Sequence, residues 1–446
     1  MRVVPAMWSV VSVCCATLSA QEEPFVERVG DKVVVRLYGD ELLPELRARL
    51  ADEALAVAES ALPVTYKLLA SQRSDAVKVH VHFDEAPFRE VEAKQARVGY
   101  AREQFVVAGN VEAHVLVRPR WKNGVLAALG LSAVTKDTIV LQVAGMVVRQ
   151  RQPAAERDPW LAEVAAFAVL EQLRNPGGKV DVDIAYDARR SPARWMVANQ
   201  RALGFREWCA MPDANSLAEL AEQQARQAMI AQLLTAKSSG WARRVLGRAP
   251  KSSEPMLVGR RAALELVLGK DWGRAEEQLA KLLRGELPTW ALETEAAEWR
   301  QGGLLVAGDA MMRAGVKLVA EPPAGGYAVS GTVTVSEGCD LRWEFAYDET
   351  FVAALLFYEG QLSLQHYDVK ARKWSTLANR KAPIEPGKPV AYRIEFRDTL
   401  RVMIGDQEAL TAPLKGWDVH RPLKVCSNSG YAILQETRLE PLPGGK

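Results

Sequence analysis

The segment TIVLQVAGMVVRQRQPAAERDPWLAEVAAF, residues 138–167, decides the fold class of the first half of the chain. Two apolar runs, one ending before Arg149 and one beginning after Asp158, flank a charged loop that contains a proline. Both runs are rich in Ala, Leu and Val at spacings that suit buried helices. No histidine occurs between His114 and His366. We therefore expect two packed helices joined by a loop, neither of which carries a histidine ligand.

The composition bounds the class of protein. The chain has 446 residues, enough for two or three units with cores of their own. Hydrophobic residues make up 48% and charged residues 25%, which is ordinary for a globular protein and argues against an integral membrane protein. The net charge of +2 argues against a dedicated nucleic-acid-binding protein, which needs a concentrated basic surface.

The first twenty residues have the layout of a secretory signal peptide. One arginine is followed by an apolar run and small residues, and the sequence turns polar at Gln21. We expect cleavage near Ala20 and a secreted or periplasmic protein. Three cysteines then remain, namely Cys209, Cys339 and Cys426. A disulfide between Cys339 and Cys426 and two buried thiols are both compatible with this count.

The mature chain shows three successive sequence patterns. Residues 32–118 alternate strand and helix patterns, as in VKVHVHF at 77–83, and residues from about 125 onward are helical in pattern. The segment EPPAGG at 321–326 is predicted to be a linker, because its prolines and glycines stand where the helical pattern stops. Short β-branched and aromatic segments then predict an all-β sandwich. The expected architecture is multidomain: an α+β domain with a helical tail over 21–320, the linker, and a jelly-roll sandwich over 327–446.

The first domain resembles the peptidase MA-like family of gluzincin-type metallopeptidases. Those enzymes hold zinc with the two histidines of an HExxH helix and a glutamate from the next helix. The tetrapeptide WLAE at 160–163 matches the second helix and places Glu163 at the glutamate ligand. The first helix then has Val143 and Val147 at the histidine positions and Ala144 at the catalytic glutamate. The resemblance thus implies vestigial zinc-site positions, no catalytic residue, no bound metal and no cofactor.

A second histidine pattern lies outside that segment. His80 and His82 share one face of a predicted strand, and Asp84 continues that face. This spacing offers two metal ligands. We favour the alternative that both histidines belong to an ordinary polar strand face that is half-exposed.

The C-terminal segment IEPGKPVAYRIEFRDTLRVMIGDQEAL, residues 384–410, resembles laminin G-like and concanavalin A-like jelly rolls in the order of its strands and turns. Such sandwiches often bind glycans, through aromatic platforms beside polar groups. The candidate glycan-binding residues are Trp343, Glu344, Tyr347, Tyr367 and Trp374.

The favoured function is a non-catalytic binding or scaffold protein of the cell envelope, a pseudo-peptidase whose sandwich binds a glycan or an envelope protein. Two alternatives stay open. One is a glycan-directed hydrolase with its site in the sandwich, for which Glu344 and Asp348 are candidates. The other is a metallopeptidase with a non-standard zinc site.

Overall fold

The computed structural model describes residues 25–71, 75–95, 106–108, 111–117, 124–152, 155, 158–174, 192, 195–196, 217–248, 255–283, 290–292, 297–300, 303–308, 314–318, 320–323, 325–414 and 416–443. The predicted signal peptide, its cleavage site and Cys209 lie outside these residues.

The N-terminal unit is built on a five-stranded mixed sheet with the order β1-β2-β3-β5-β4. Its strands are β1 (Phe25–Val29), β2 (Val33–Tyr38), β3 (Val77–His82), β4 (Val106–Ala108) and β5 (Glu112–Leu116). The central strands β2, β3 and β5 are parallel, whereas β1 and β4 pair antiparallel at the two edges. Alternate residues such as Val35 and Val79 are fully buried in the core of this unit. The strand predicted from VKVHVHF is confirmed.

Helices fill the rest of the N-terminal unit. They are α1 (Pro44–Leu69), α2 (Glu85–Gln95), α3 (Gly124–Ala127), α4 (Ala133–Arg151), α5 (Pro159–Arg174), α6 (Leu217–Lys237), α7 (Trp241–Leu246), α8 (Met256–Leu268) and α9 (Trp272–Leu283). The two helices expected in residues 138–167 are confirmed as α4 and α5. Ser132 caps the N-terminus of helix α4, because its hydroxyl oxygen accepts a hydrogen bond of 3.0 Å from the backbone N–H of Thr135. Such a cap satisfies a donor that the helix itself leaves open.

The C-terminal unit is a sandwich of two seven-stranded sheets. One sheet has the order β17-β16-β15-β10-β19-β8-β7, and the other has the order β14-β13-β12-β11-β18-β9-β6. The first ten strands by sequence are β6 (Trp290–Leu292), β7 (Ala297–Arg300), β8 (Gly303–Gly308), β9 (Ala314–Leu318), β10 (Tyr327–Val335), β11 (Leu341–Tyr347), β12 (Phe351–Tyr358), β13 (Gln361–Asp368), β14 (Lys373–Lys381) and β15 (Val390–Phe396). The last four are β16 (Thr399–Ile404), β17 (Gln407–Pro413), β18 (Lys424–Ser427) and β19 (Gly430–Pro441).

The sandwich takes in strands on both sides of the segment expected to be a linker. Strands β6 to β9 precede residues 321–326 and hydrogen-bond into the same two sheets as the later strands. The proline- and glycine-rich segment 321–326 thus connects two strands of one sandwich. Among the described residues, the last helix is α9, which ends before the first sandwich strand and well before residues 321–326.

Strand β8 joins the two units, because both of its faces are buried. Leu304 and Val306 pack in the core between the two sheets, whereas Leu305 and Ala307 pack in the core of the N-terminal unit. A strand covered on both faces needs a continuous apolar run, and GLLVAG supplies it.

Polar contacts at the neighbouring strand β7 secure the same junction. The Glu298 carboxylate accepts a hydrogen bond of 2.9 Å from the backbone N–H of Ala133, in the first turn of α4. The Arg300 guanidinium donates to the carbonyl oxygens of Leu129 and Leu131 just before that helix. A carboxylate at a helix N-terminus is favourably placed against the helix dipole.

Candidate functional site

The α4 positions that the sequence resemblance aligns with zinc ligands are occupied by core side chains. Val143, Ala144 and Val147 are fully buried in the N-terminal core. Glu163, on α5, is exposed, and its carboxylate accepts a hydrogen bond from the side-chain amide of Gln227 on α6. The valine face of α4 offers no ligand atom to a metal ion.

A cluster of three histidines lies on the N-terminal sheet. His80 and His82 belong to β3, and His114 belongs to the adjacent parallel strand β5, where it pairs directly with His80. Residues on one face of neighbouring strands lie close together, so this register brings the three imidazoles to one place. We call His80, His82 and His114 the histidine cluster.

The histidine cluster is buried, which corrects the expectation of a half-exposed polar face. His80 is 4% exposed, His82 1% and His114 6%. The Tyr38 ring stacks on His82 with 4.5 Å between ring centroids, and the rings of His80 and His114 stack at 4.3 Å. Phe88 of α2 meets the His82 ring edge-on at 5.5 Å. Aromatic neighbours thus enclose side chains that the strand alternation alone places on a polar face.

Short polar contacts connect the members of the histidine cluster. His82 Nε2 lies 3.0 Å from His114 Nδ1, and the Tyr38 hydroxyl lies 2.9 Å from His80 Nδ1. One carboxylate oxygen of Glu112, Oε1, lies 3.1 Å from His114 Nε2 and 3.0 Å from His80 Nε2. Glu112 is 44% exposed, so it connects the buried rings to solvent.

Burial controls the protonation of these rings. Desolvation, reinforced by the nearby His114, lowers the pKa of His80 to about 4. Desolvation and the other two histidines lower the pKa of His82 to about 3. Desolvation also lowers the pKa of His114, although Glu112 opposes this change. All three imidazoles are therefore neutral at pH 7, which is the form that binds metal ions.

Sequence reasoning missed His114. The segment EAHVL alternates as VKVHVH does, but its pairing with β3 is set by parallel strand register. Parallel neighbours are joined by long crossovers, so the distance along the sequence does not reveal which residues pair. A signal was present only in the residue type, because three of the five histidines in the chain lie between residues 80 and 114.

Three of the candidate glycan-binding residues are buried or make contacts within the protein. Trp343 is buried in the sandwich core, 6.0 Å from the ring of Tyr392 in the opposite sheet, so it offers no surface platform. Glu344 is also buried. The Tyr347 hydroxyl donates to the carbonyl oxygen of Pro422, and the Lys424 ammonium lies 4.7 Å from the centre of the Tyr347 ring.

The remaining two candidates form a surface cluster with two charged neighbours. Tyr367 and Trp374 are paired in register across β13 and β14, are half-buried, and have ring centroids 5.0 Å apart. The Arg342 guanidinium lies 5.0 Å from the centre of the Trp374 ring. Arg342 also makes two hydrogen bonds of 3.0 Å to the carboxylate of Asp340. We call Asp340, Arg342, Tyr367 and Trp374 the aromatic–arginine cluster.

Asp348, a candidate for hydrolysis, caps a turn. Its Oδ1 accepts hydrogen bonds from the backbone N–H and hydroxyl of Thr350, both 2.6 Å, and from the N–H of Phe351 at 3.1 Å. These bonds, those of Thr350 first, lower the pKa of Asp348. A carboxylate held in its ionised form is a poor general acid.

Cys339 and Cys426 are both buried free thiols. This corresponds to the second of the two alternatives left open by the cysteine count. Burial raises the pKa of the Cys339 thiol to about 12. The surroundings of Cys339 therefore do not activate it as a nucleophile.

In the described part of the chain, no helix combines the length and apolar character that crossing a membrane requires.

No protein-family model matches the chain, and no curated protein matches it significantly. The C-terminal all-β sandwich resembles carbohydrate-binding and lectin domains of known structure. The carbohydrate-binding module CBM66 from Bacillus subtilis is 14% identical, with 34% of this chain and 96% of that chain covered and a TM-score of 0.29. The galectin LEC-6 from Caenorhabditis elegans is 6% identical over 28% of this chain and 89% of that chain, with a TM-score of 0.25. The exoplasmic/lumenal domain of VIP36, in a Ca²⁺/Man2-bound form, is 9% identical over 35% of this chain and 82% of that chain, with a TM-score of 0.29. At these scores and identities the likeness assigns no ligand to this chain.

Proposed function

We propose that this protein binds a glycan through the aromatic–arginine cluster on the outward face of its sandwich, and that its N-terminal unit is a non-catalytic scaffold that resembles a gluzincin. Export by the predicted signal peptide is part of this proposal, because it would bring the sandwich to glycans of the cell envelope.

The observation that carries the proposal is the composition of the aromatic–arginine cluster. Sugar rings present apolar C–H faces and a rim of hydroxyl groups, so their sites need aromatic rings beside hydrogen-bonding groups. Tyr367 and Trp374 supply the rings. Arg342 and Asp340 supply donors and acceptors, and each of these two side chains keeps part of its surface in water.

The position of the cluster also suits binding. The sheet that contains β8 and β19 packs on the N-terminal unit, where Tyr431 and Ile433 contact the N-terminal core. The cluster lies on the other sheet of the sandwich, and the side chains of its edge strand β14 are half-buried or exposed. A ligand can therefore approach without separating the two units.

The side chains on α4 support the non-catalytic part of the proposal. Zinc peptidases require three protein ligands and a base that activates water. The buried residues Val143, Ala144 and Val147 provide none of these groups.

The test is a glycan-array screen of the full chain, followed by titration of the best ligand against Trp374→Ala and Tyr367→Ala variants. We expect each variant to bind at least about tenfold more weakly, because aromatic platforms contribute on the order of 1–3 kcal/mol. Circular dichroism would verify that each variant is folded.

Leu266→Ala is the control for the removal of an exposed apolar side chain. Leu266 is 50% exposed and lies on α8 of the N-terminal unit, outside the sandwich. Its removal should leave glycan binding unchanged. The proposal is overturned when no glycan binds the wild-type protein, or when Trp374→Ala and Tyr367→Ala both bind as Leu266→Ala does.

A further inference from the structure

We propose that the histidine cluster, His80, His82 and His114, is a binding site for a divalent transition-metal ion, with Zn²⁺ the preferred ion and Glu112 the fourth ligand. This site lies on the N-terminal sheet and is separate from the gluzincin-like positions on α4 and α5. The inference does not depend on glycan binding by the sandwich.

The first argument is convergence. One ring nitrogen from each of the three histidines lies within 4.8 Å of the others. Tetrahedral Zn²⁺ with Zn–N distances of 2.0–2.1 Å holds its ligand atoms roughly 3.3 Å apart. His82 Nε2 and His114 Nδ1 are already 3.0 Å apart, and Glu112 Oε1 is 3.0 Å from His80 Nε2. Binding therefore requires these two pairs to open slightly and the more distant ligand atoms to move closer.

The second argument is an unsatisfied nitrogen beside a carboxylate. His80 Nε2 is buried and lies 3.0 Å from the Glu112 carboxylate, but the two groups do not meet the geometry of a hydrogen bond. Buried polar atoms are normally paired, and atoms that stay unpaired cost free energy. A cation held between this nitrogen and the carboxylate would offset that cost.

The third argument is rigidity. The three histidines project from two adjacent strands in the middle of the sheet, with β2 on one side and β4 on the other. Sites built on such strands hold their ligands more precisely than sites on loops. The Tyr38 hydroxyl, 2.9 Å from His80 Nδ1, resembles the outer hydrogen bonds that orient metal-binding imidazoles.

The fourth argument is access. Glu112 is the exposed member of the set, and it gives the ion a route from solvent and a negative charge that attracts it.

The test is zinc binding by the untagged full chain. After treatment with a chelator, the protein is titrated with Zn²⁺ at pH 7.5 by calorimetry, and with Co²⁺ by visible absorption. We expect one equivalent of Zn²⁺, d–d bands of tetrahedral Co²⁺ that Zn²⁺ abolishes, and a higher melting temperature in the presence of Zn²⁺.

Variants assign the ligands. His82→Asn and His114→Asn should each weaken Zn²⁺ binding at least about tenfold, and Glu112→Gln should weaken it less. His420→Asn is the control, because His420 is an exposed histidine of the sandwich. Failure of the wild-type protein to bind Zn²⁺ overturns the proposal whether or not the variants fold. Unchanged binding by folded His82→Asn and His114→Asn variants also overturns it.

Discussion

Helix α4 and strand β3 belong to the same N-terminal core, but the side chains that can bind zinc lie on the strand rather than on the helix. The resemblance seen in the sequence would place zinc ligands on the helix, but the helix presents buried apolar residues at 143, 144 and 147. The strand, whose alternation is typical of an ordinary polar surface, holds two of three buried histidines. A motif made of residues close together in the chain can be recognised, or its loss noticed, in the sequence alone. A site assembled from two strands can be recognised only when the pairing register of those strands is known.

The largest effect should come from restoring the peptidase motif. The triple variant Val143→His, Ala144→Glu, Val147→His introduces two imidazoles and a carboxylate at fully buried positions. We expect it to lose at least about 4 kcal/mol of unfolding free energy, or to fail to fold, because unpaired buried polar groups are costly. Urea denaturation followed by circular dichroism measures the loss.

The apolar double variant Val143→Ala, Val147→Ala is the control for packing alone, with an expected cost of roughly 1–3 kcal/mol per site. A triple variant as stable as the wild type that cleaves peptides with Zn²⁺ would contradict our view that this helix face is now closed core.

An intermediate effect should come from acid. The folded-state pKa values of His80 and His82 are about 4 and about 3, below the ordinary value of 6.5. The unfolded chain therefore binds more protons as the pH falls below about 6.5, and the folded state loses stability until its own histidines are protonated. Since a pKa difference of one between the folded and unfolded states corresponds to about 1.4 kcal/mol, we expect a loss of a few kcal/mol between pH 7 and pH 4.

Urea midpoints of metal-free protein at pH 7.5, 6, 5 and 4 test this expectation. A His80→Gln, His82→Gln variant serves as the reference, because it retains the acidic residues that also respond to pH. Equal pH dependence of the two proteins would show that the cluster is not held neutral by burial.

The smallest effect should come from Tyr38→Phe. This change removes the hydroxyl that lies 2.9 Å from His80 Nδ1 and keeps the ring that stacks on His82. We expect a loss of about 1 kcal/mol, the usual net contribution of one hydrogen bond. Nitrogen chemical shifts of His80 should also report a changed tautomer balance. A loss above roughly 3 kcal/mol would mean that the hydroxyl supports the fold itself.

Local patterns in the sequence predicted much of the secondary structure. The alternation in VKVHVHF predicted β3, and the pattern of the residues from about 125 onward predicted helices. The start of the sandwich was not predictable in the same way, because β8 is an uninterrupted apolar segment that shows no alternation. Its membership in a sheet depends on pairing with β19, more than a hundred residues later.

The candidate sites show the same division. The sequence named Tyr367 and Trp374 as candidate glycan-binding residues, but it could not show that the two rings pair across β13 and β14. The alternation of residues also could not show which face of β11 turns inward. The core lies on the side of Trp343 and Phe345, and Arg342 is on the other side. His114 was missed because only the parallel pairing of β3 with β5 brings it beside His80.

Strand β8 also determines how the molecule can be divided. Its alternate side chains belong to different cores, so loosening either core exposes residues of the other. A fragment that begins after residue 326 would lack β6 to β9, and would leave β18 and β19 as bare sheet edges open to aggregation. The two units are thus distinct in architecture but share strand β8, and the segment 321–326, which the sequence predicted to be a linker, is a poor place to cut the chain.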